Sequence, residues 1–223
     1  MFFEEHAKLL SDFARVSQAA GARADYVQGG GGNTSVKLPG GLMAIKASGF
    51  CLSDIRPDKA YAVLDGADLR NFYLTTEPSA LADVEKEGSA RAKADIRHID
   101  GLADLRPSVE AGFHSILKTF VVHTHSVYAN LAACSTACRP IAAQAFAGAN
   151  YTWGWVPYTD PGANLTFAIR DELRRVEKET GKVPSVILMQ NHGIIVHDDD
   201  PDTALAIHTD ANERLARMFG LSG

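Results

Sequence analysis

His123 and His125 close the apolar run Phe120-Val121-Val122, and Asn191-His192-Gly193 follows much later; no other feature constrains the fold of this chain as strongly. On a strand, side chains two residues apart share a face, so both imidazoles can approach one ion while a third arrives from a distant bend. A fold that satisfies this pattern must bring a strand end and a remote turn together. The pattern points to a metal enzyme.

Composition narrows the reading. With 223 residues, 46% of them hydrophobic and 22% charged, the chain is expected to bury its own core as one domain over residues 1–223. The balance of 22 Lys+Arg against 27 Asp+Glu leaves a formal charge of −5, and no basic run marks a nucleic-acid footprint. Cys51, Cys134 and Cys138 form an odd set without disulfide or zinc spacing, as expected in a reducing compartment. The first residues carry Glu4 and Glu5 rather than a basic leader, and no apolar stretch reaches membrane-spanning length. A cytoplasmic protein with no membrane or nucleic-acid partner is the expectation.

Hydrophobic periodicity supplies the elements. Phe3, Leu9, Leu10, Phe13 and Val16 recur at helical spacing as far as Gly21. Two short strands, Asn33 to Leu38 and Leu42 to Lys46, flank the turn Pro39-Gly40-Gly41. A strand at Tyr61 to Leu64 precedes a polar, Ala-rich helical stretch near Ser79 to Lys93, in the least legible part of the chain. A helix from Ser108 to Leu117 leads into the buried strand Phe120 to Thr124, and Ser126 caps the next helix. Strand Trp153 to Tyr158 and helix Asn164 to Lys178, stopped by Gly181, come next. Val186 to Met189 and Ile194 to Val196 read as antiparallel strands joined at His192, and a helix from Pro201 to Phe219 ends the pattern. This order predicts an α/β domain of three αβα layers, with a mixed, largely antiparallel sheet between helices.

An ion held by three neutral imidazoles keeps an open position and stabilises negative charge on an oxygen ligand. Such chemistry needs a proton carrier. Glu110 is the candidate, because its helix leads through a short turn into the strand bearing His123. His114, one turn further on, either orients that carboxylate or simply packs, with packing slightly favoured. The glycine cluster Gly29 to Gly32 can present backbone N–H groups to an anion, or can be only the end of a hairpin. His6, His98, His197 and His208 are read as structural, and Cys134 and Cys138, one helical turn apart, as buried.

Gly32-Asn33-Thr34-Ser35, Lys46-Ala47-Ser48-Gly49, Arg106-Pro107-Ser108-Val109-Glu110 with His114, Val122-His123-Thr124-His125-Ser126 and Gln190-Asn191-His192-Gly193 occur in the order seen in the class II aldolase/adducin family. The resemblance spans nearly the whole chain. Within that family the chain looks most like the aldolase half of bifunctional rhamnulose-1-phosphate aldolase/alcohol dehydrogenase proteins. The resemblance implies zinc, or another divalent metal, on His123, His125 and His192, and Glu110 as acid/base. It also implies a substrate phosphate held by Asn33, Ser48, Gly49 and Ser108; Lys46, on its own chemistry, can supply a positive charge there as well. The implied reaction cleaves a ketose 1-phosphate to dihydroxyacetone phosphate and an aldehyde through a metal-stabilised enediolate, in a homotetramer.

The chain departs from the fuculose-type pattern in two ways. Gln144 stands near the position of one catalytic tyrosine and no tyrosine follows Tyr158, leaving Tyr128, Tyr151 and Tyr158 unranked as leaving-group acid. Pro107 replaces one phosphate-site serine. Two other classes compete: a zinc epimerase or dehydratase acting on a sugar phosphate, and a non-catalytic adducin-like module. Glu110 favours the aldolase over the epimerase, where the resemblance places Asp, and the retained histidines argue against the module.

Overall fold

A computed structural model of the protein describes residues 1–221. Helices α1 (Phe2–Glu5) and α2 (Ala7–Gly21) open the chain, followed by strands β1 (Asn33–Leu38), β2 (Leu42–Lys46) and β3 (Tyr61–Asp65). Helices α3 (Gly66–Thr75) and α4 (Val84–Ala94), the short strand β4 (Ile96–Arg97) and helix α5 (Ala111–Ile116) come next. Strand β5 (Phe120–Thr124), helices α6 (Val127–Ala133) and α7 (Cys138–Ala145), and strand β6 (Trp153–Val156) precede α8 (Ala163–Thr180). Strands β7 (Val186–Met189) and β8 (Gly193–Asp198) and helix α9 (Pro201–Met218) complete it.

Local chemistry sets many of the boundaries. Asp65, Asp83, Ser126 and Asp200 cap α3, α4, α6 and α9 through side-chain oxygens that accept from backbone N–H groups of the first turn. Gly181 ends α8 in the left-handed region at φ 72°, a conformation open to glycine at little steric cost.

The eight strands among the described residues form one sheet in the order β4-β3-β2-β1-β5-β8-β7-β6. Every neighbouring pair is antiparallel except β6 and β7, which run parallel. The expected mixed, largely antiparallel sheet between helices is therefore what the chain forms. Helices cover both faces. Met43, Ile45, Val121, Ile187 and Ile195 pack with α3, α5 and α8 on one side. Val36, Leu38, Ala44 and Val122 face α2, and Val186, Leu188, Ile194 and Val196 meet α6, α7 and α9 on the other. On strand β1 the polar Asn33, Ser35 and Lys37 share one face, and Thr34, Val36 and Leu38 the other.

Several local expectations change, among them the strand expected over Trp153 to Tyr158, which ends at Val156, and the unexpected β4 and α7. Helix α3 is additional; its ten residues bury only Gly66, Leu69 and Tyr73, too sparse a stripe to stand out. The helix expected from about Ser79 begins at Val84, because Pro78 opens a separate short 3-10 turn and Asp83 then caps α4. The helix expected from Ser108 begins at Ala111. Cys134 and Cys138 do not share a helix: α6 ends at Ala133 and α7 starts at Cys138, leaving Cys134 exposed and Cys138 buried.

Candidate metal centre and acid–base site

The strand ends at the β1–β5–β8 junction carry the chemistry. His123 is buried near the end of β5, with its ring edge-on to Phe113. His125 follows just beyond the strand, and His192 sits in the bend between β7 and β8, where its backbone N–H donates to Met189 O and that of Asn191 to Ala133 O. Asn191 adopts φ 54° to make this turn. The three ring centroids lie 4.9, 4.9 and 5.2 Å apart. One ring nitrogen from each lies within 4.8 Å of the others.

The donor set fits a divalent metal. His123 Nδ1–H donates to Ile194 O at 3.0 Å, which fixes the tautomer and leaves the Nε2 lone pair facing His125 Nε2 at 3.1 Å. Nitrogens on a tetrahedral zinc, at bond lengths of about 2.0–2.1 Å, stand roughly 3.3 Å apart, close to that spacing. Burial pushes the His123 imidazole down to about 3, against the opposing pull of Glu110. Burial likewise lowers His125. Both are neutral at physiological pH, as metal ligation requires. No helix among the described residues is long and apolar enough to cross a membrane.

Glu110 caps α5 rather than lying within it, because the Pro107-Ser108-Val109 turn delays the helix. That placement aims its carboxylate at the imidazoles: Oε1 is 3.1 Å from His192 Nε2 and Oε2 is 3.6 Å from His123 Nε2. Burial favours the protonated acid, but the hydrogen bonds from His192 and the Asn33 amide outweigh it and hold the carboxyl well below its ordinary range. Glu110 is ionised at neutral pH.

Asn33 anchors this carboxylate. Its Nδ2 donates to both Glu110 Oε2 and Ser108 Oγ, the latter at 3.1 Å, and its Oδ1 meets His114 Nε2. Asn33, expected at a substrate phosphate, has both amide hydrogens engaged within the protein. His114, expected either to orient the Glu110 carboxylate or to pack, stacks on Phe113 and bonds Asn33 rather than Glu110 itself. Completely buried, it is gripped by three alternate residues of β1: Asn33 at Nε2, Ser35 Oγ at Nδ1 (2.8 Å), and Lys37 Nζ at its backbone carbonyl. The signal for this was present in the sequence as a polar i, i+2, i+4 set on a strand otherwise built for burial.

The remaining expected residues border the cluster. An isolated bridge between Ala47 and Pro107, with Ser48 N–H donating to Arg106 O at 2.9 Å, lays the Ser48-Gly49 turn alongside Ser108. Ser48 and Gly49 are exposed, and Gly49 takes φ 89° with open space where a side chain would stand. Ser108 Oγ also accepts from the Glu110 backbone N–H at 3.3 Å. Lys46, buried, spends its ammonium on the carbonyls of Phe50 (2.7 Å) and Gly30 (3.4 Å), so it ties the glycine loop to the Ser48-Gly49 turn. Of the candidate tyrosines, Tyr151 donates to Asp210 and Tyr158 to Asp160, both at 2.8 Å. Neither bonds Glu110 or the imidazoles.

Known structures share this fold. The N-terminal class II aldolase domain of a conserved Thermoplasma acidophilum protein superposes with TM-score 0.76 at 20% identity, covering 94% of this chain and 93% of that one. YgbL of Klebsiella pneumoniae, provisionally described as an aldolase, epimerase or decarboxylase, gives 0.64 at 18% identity over 96% and 90%. L-Fuculose-1-phosphate aldolase of Thermus thermophilus gives 0.57 at 15% identity over 96% and 95%. Comparison with curated protein sequences returns no match. The family described as "Class II Aldolase and Adducin N-terminal domain" matches residues 11–219, and the chain belongs to it.

Proposed function

We propose that this protein is a divalent-metal aldolase, with zinc the expected ion, that cleaves a ketose 1-phosphate to dihydroxyacetone phosphate and an aldehyde. The observation that carries the reading is the ionised Glu110 carboxylate in contact with two of three converging, metal-competent imidazoles. An adducin-like scaffold has no need of that constellation.

Bound by His123, His125 and His192, the cation would act as a Lewis acid toward the negative charge that develops on substrate oxygen during carbon–carbon cleavage. The protein's own groups do the rest. Cleavage breaks the C3–C4 bond, takes a proton from the C4 hydroxyl and delivers one to C3. The C4 hydroxyl proton leaves to water, while Glu110, ionised at rest, takes up a proton from water and passes it to C3; in the condensation direction its ionised form removes that proton, as microscopic reversibility requires. Asn33 holds the carboxylate in place, and the pair itself is held by Ser108 and His114. The exposed Ser48-Gly49 turn and Ser108 offer backbone N–H and hydroxyl donors to the phosphate. A homotetramer acting in the cytoplasm, and one catalytic unit over residues 1–223, complete the proposal.

The test is an assay of purified, zinc-loaded protein against a panel of ketose 1-phosphates, with dihydroxyacetone phosphate detected by a coupled reductase. Release of that triose with an equimolar aldehyde is expected. Inversion at C4 or loss of water without cleavage would assign the site to epimerisation or dehydration instead.

A further inference from the structure

A cavity of about 630 Å³ opens at the far ends of the central strands, away from the imidazole cluster. Its floor includes Lys37 near the end of β1, and residues just before β5 and near the end of β8 contribute Thr119 and His197. Asn33 and Lys37 are four residues apart on one strand, about 13 Å along its axis, so the two sites are separate. The volume is in the range typical of small-molecule sites.

The lining has two characters. Leu38, Leu42, Ile116 and Leu173 give it an apolar wall, while Lys37, Arg70, Lys118, Arg174 and the Asp171-paired Arg170 surround that wall with positive charge; Glu177 and Asp199 are the acids among the lining residues. Lys118 is neutralised by Asp198 at 2.8 Å, and Arg174 lies 4.0 Å from Asp171. Asp199 is occupied with the Thr119 backbone N–H and hydroxyl. Lys37 and Arg70 donate only to the carbonyls of His114 and Ser115, and neither has a carboxylate partner among the described residues. Burial, with the neighbouring Arg70 guanidinium, pushes the Lys37 ammonium down to about 7 despite Asp199. His197, 1% exposed, borders the same cavity with a buried Nε2 that has no partner among the described residues. A guanidinium and an adjacent lysine amine, neither paired with a carboxylate among the described residues, beside an unpartnered imidazole nitrogen and an apolar wall, suit an anion with an apolar end, whose charge would favour the protonated Lys37.

We propose that this cavity is a second ligand site, for a phosphomonoester carrying an apolar body. The phosphate sits between Lys37 and Arg70, where a planar guanidinium can engage two of its oxygens, and the organic group lies on the leucine wall.

Calorimetric titration of the zinc-loaded protein with phenyl phosphate tests this, with inorganic phosphate as the headgroup-only probe. A binding event is expected that Arg70→Gln weakens at least tenfold, that Lys37→Met also weakens, and that Ser108→Ala leaves in place. Inorganic phosphate should bind at least tenfold more weakly than phenyl phosphate. Arg70 is exposed, so its variant keeps the fold and stands alone as the decisive one. Equal affinity in the wild type and Arg70→Gln, or loss of all binding on Ser108→Ala, would overturn the assignment, as would equal affinity for the two probes.

Discussion

Asn33 stands directly across the β1–β5 ladder from His123. The residue that steers the Glu110 carboxylate and a residue of the imidazole cluster are thus placed by one set of backbone hydrogen bonds. Gly32, just before this pair, takes φ 69°, and a β-carbon there would stand 2.7 Å from the His123 carbonyl oxygen. Asn33, with the Glu110 carboxylate it holds, and His123 therefore share one rigid frame.

Removing the anchor should separate proton transfer from metal binding. In Asn33→Ala, Glu110 loses its amide donor and His114 its Nε2 partner. Turnover is expected to fall by about 10- to 100-fold with KM changed far less, because the carboxylate is present but poorly aimed. Zinc content by elemental analysis should match the wild type; a loss of zinc would move Asn33 to a role in holding the cluster.

Glu110→Gln keeps the size of the side chain but not its basicity. Bound zinc should remain near the wild-type level while turnover falls about 100-fold or more. Steady-state kinetics with unchanged turnover would remove Glu110 from the chemistry.

Gly193 is pressed against the site from β8. A β-carbon there would lie 2.4 Å from Thr124 O and 3.3 Å from the His125 ring. Gly193→Ala should therefore displace the backbone beside His125, lowering zinc affinity at least tenfold and destabilising the fold by about 1–3 kcal/mol. Competition with a calibrated chelator and a urea melt give the two numbers.

Stability should fall on acidification below neutral pH. Burial pushes His208 down to about 4 and His197 down to about 3, with nearby cations adding to the effect. Both are neutral in the native protein, whereas in the unfolded chain they take up protons near pH 6.5. The unfolded state thus binds more protons as pH drops below 6.5, and native stability declines through the window down to about pH 4. His208, bonded to Thr124 Oγ1 at 2.8 Å, accounts for on the order of 3 kcal/mol of that decline across the window. Urea midpoints across this range should be flatter in His208→Gln; an unchanged slope would show that His208 does not stay neutral.

Zinc binding should be linked to folding. Free zinc at about 100 times its Kd stabilises the native state by about 2.7 kcal/mol if the unfolded chain does not bind it. A chelator is therefore expected to lower the thermal midpoint of the wild type and to leave that of His192→Ala unmoved. Calorimetric scans with and without chelator make the comparison.

The site was legible in the sequence wherever chemistry and periodicity coincided. The strand Phe120–Thr124 ends on its histidines because an unbroken apolar run can be read to its last residue, and His192 lies at the bend because two short apolar runs flank it. Glu110 was placed near them by connectivity alone, although its position as a cap depends on how Pro107 delays the helix. What escaped were interactions that need two distant segments at once. The grip of β1 on His114 joins residues far apart in sequence, and the engagement of Lys46 by two loops follows from their closure. Helix α7 was missed because its small residues, Ala142 and Ala145 among them, carry little periodic contrast.

The alternating set Asn33, Ser35 and Lys37 also makes β1 intolerant of misalignment. A one-position slip against β5 would turn Thr34, Val36 and Leu38 toward α5 and thrust an amide, a hydroxyl and an ammonium into the apolar layer under α2. Mispaired chains would thereby lose the grip on His114 and bury an uncompensated charge in the same stroke, so the polar stripe acts as a proofreader of strand pairing during folding.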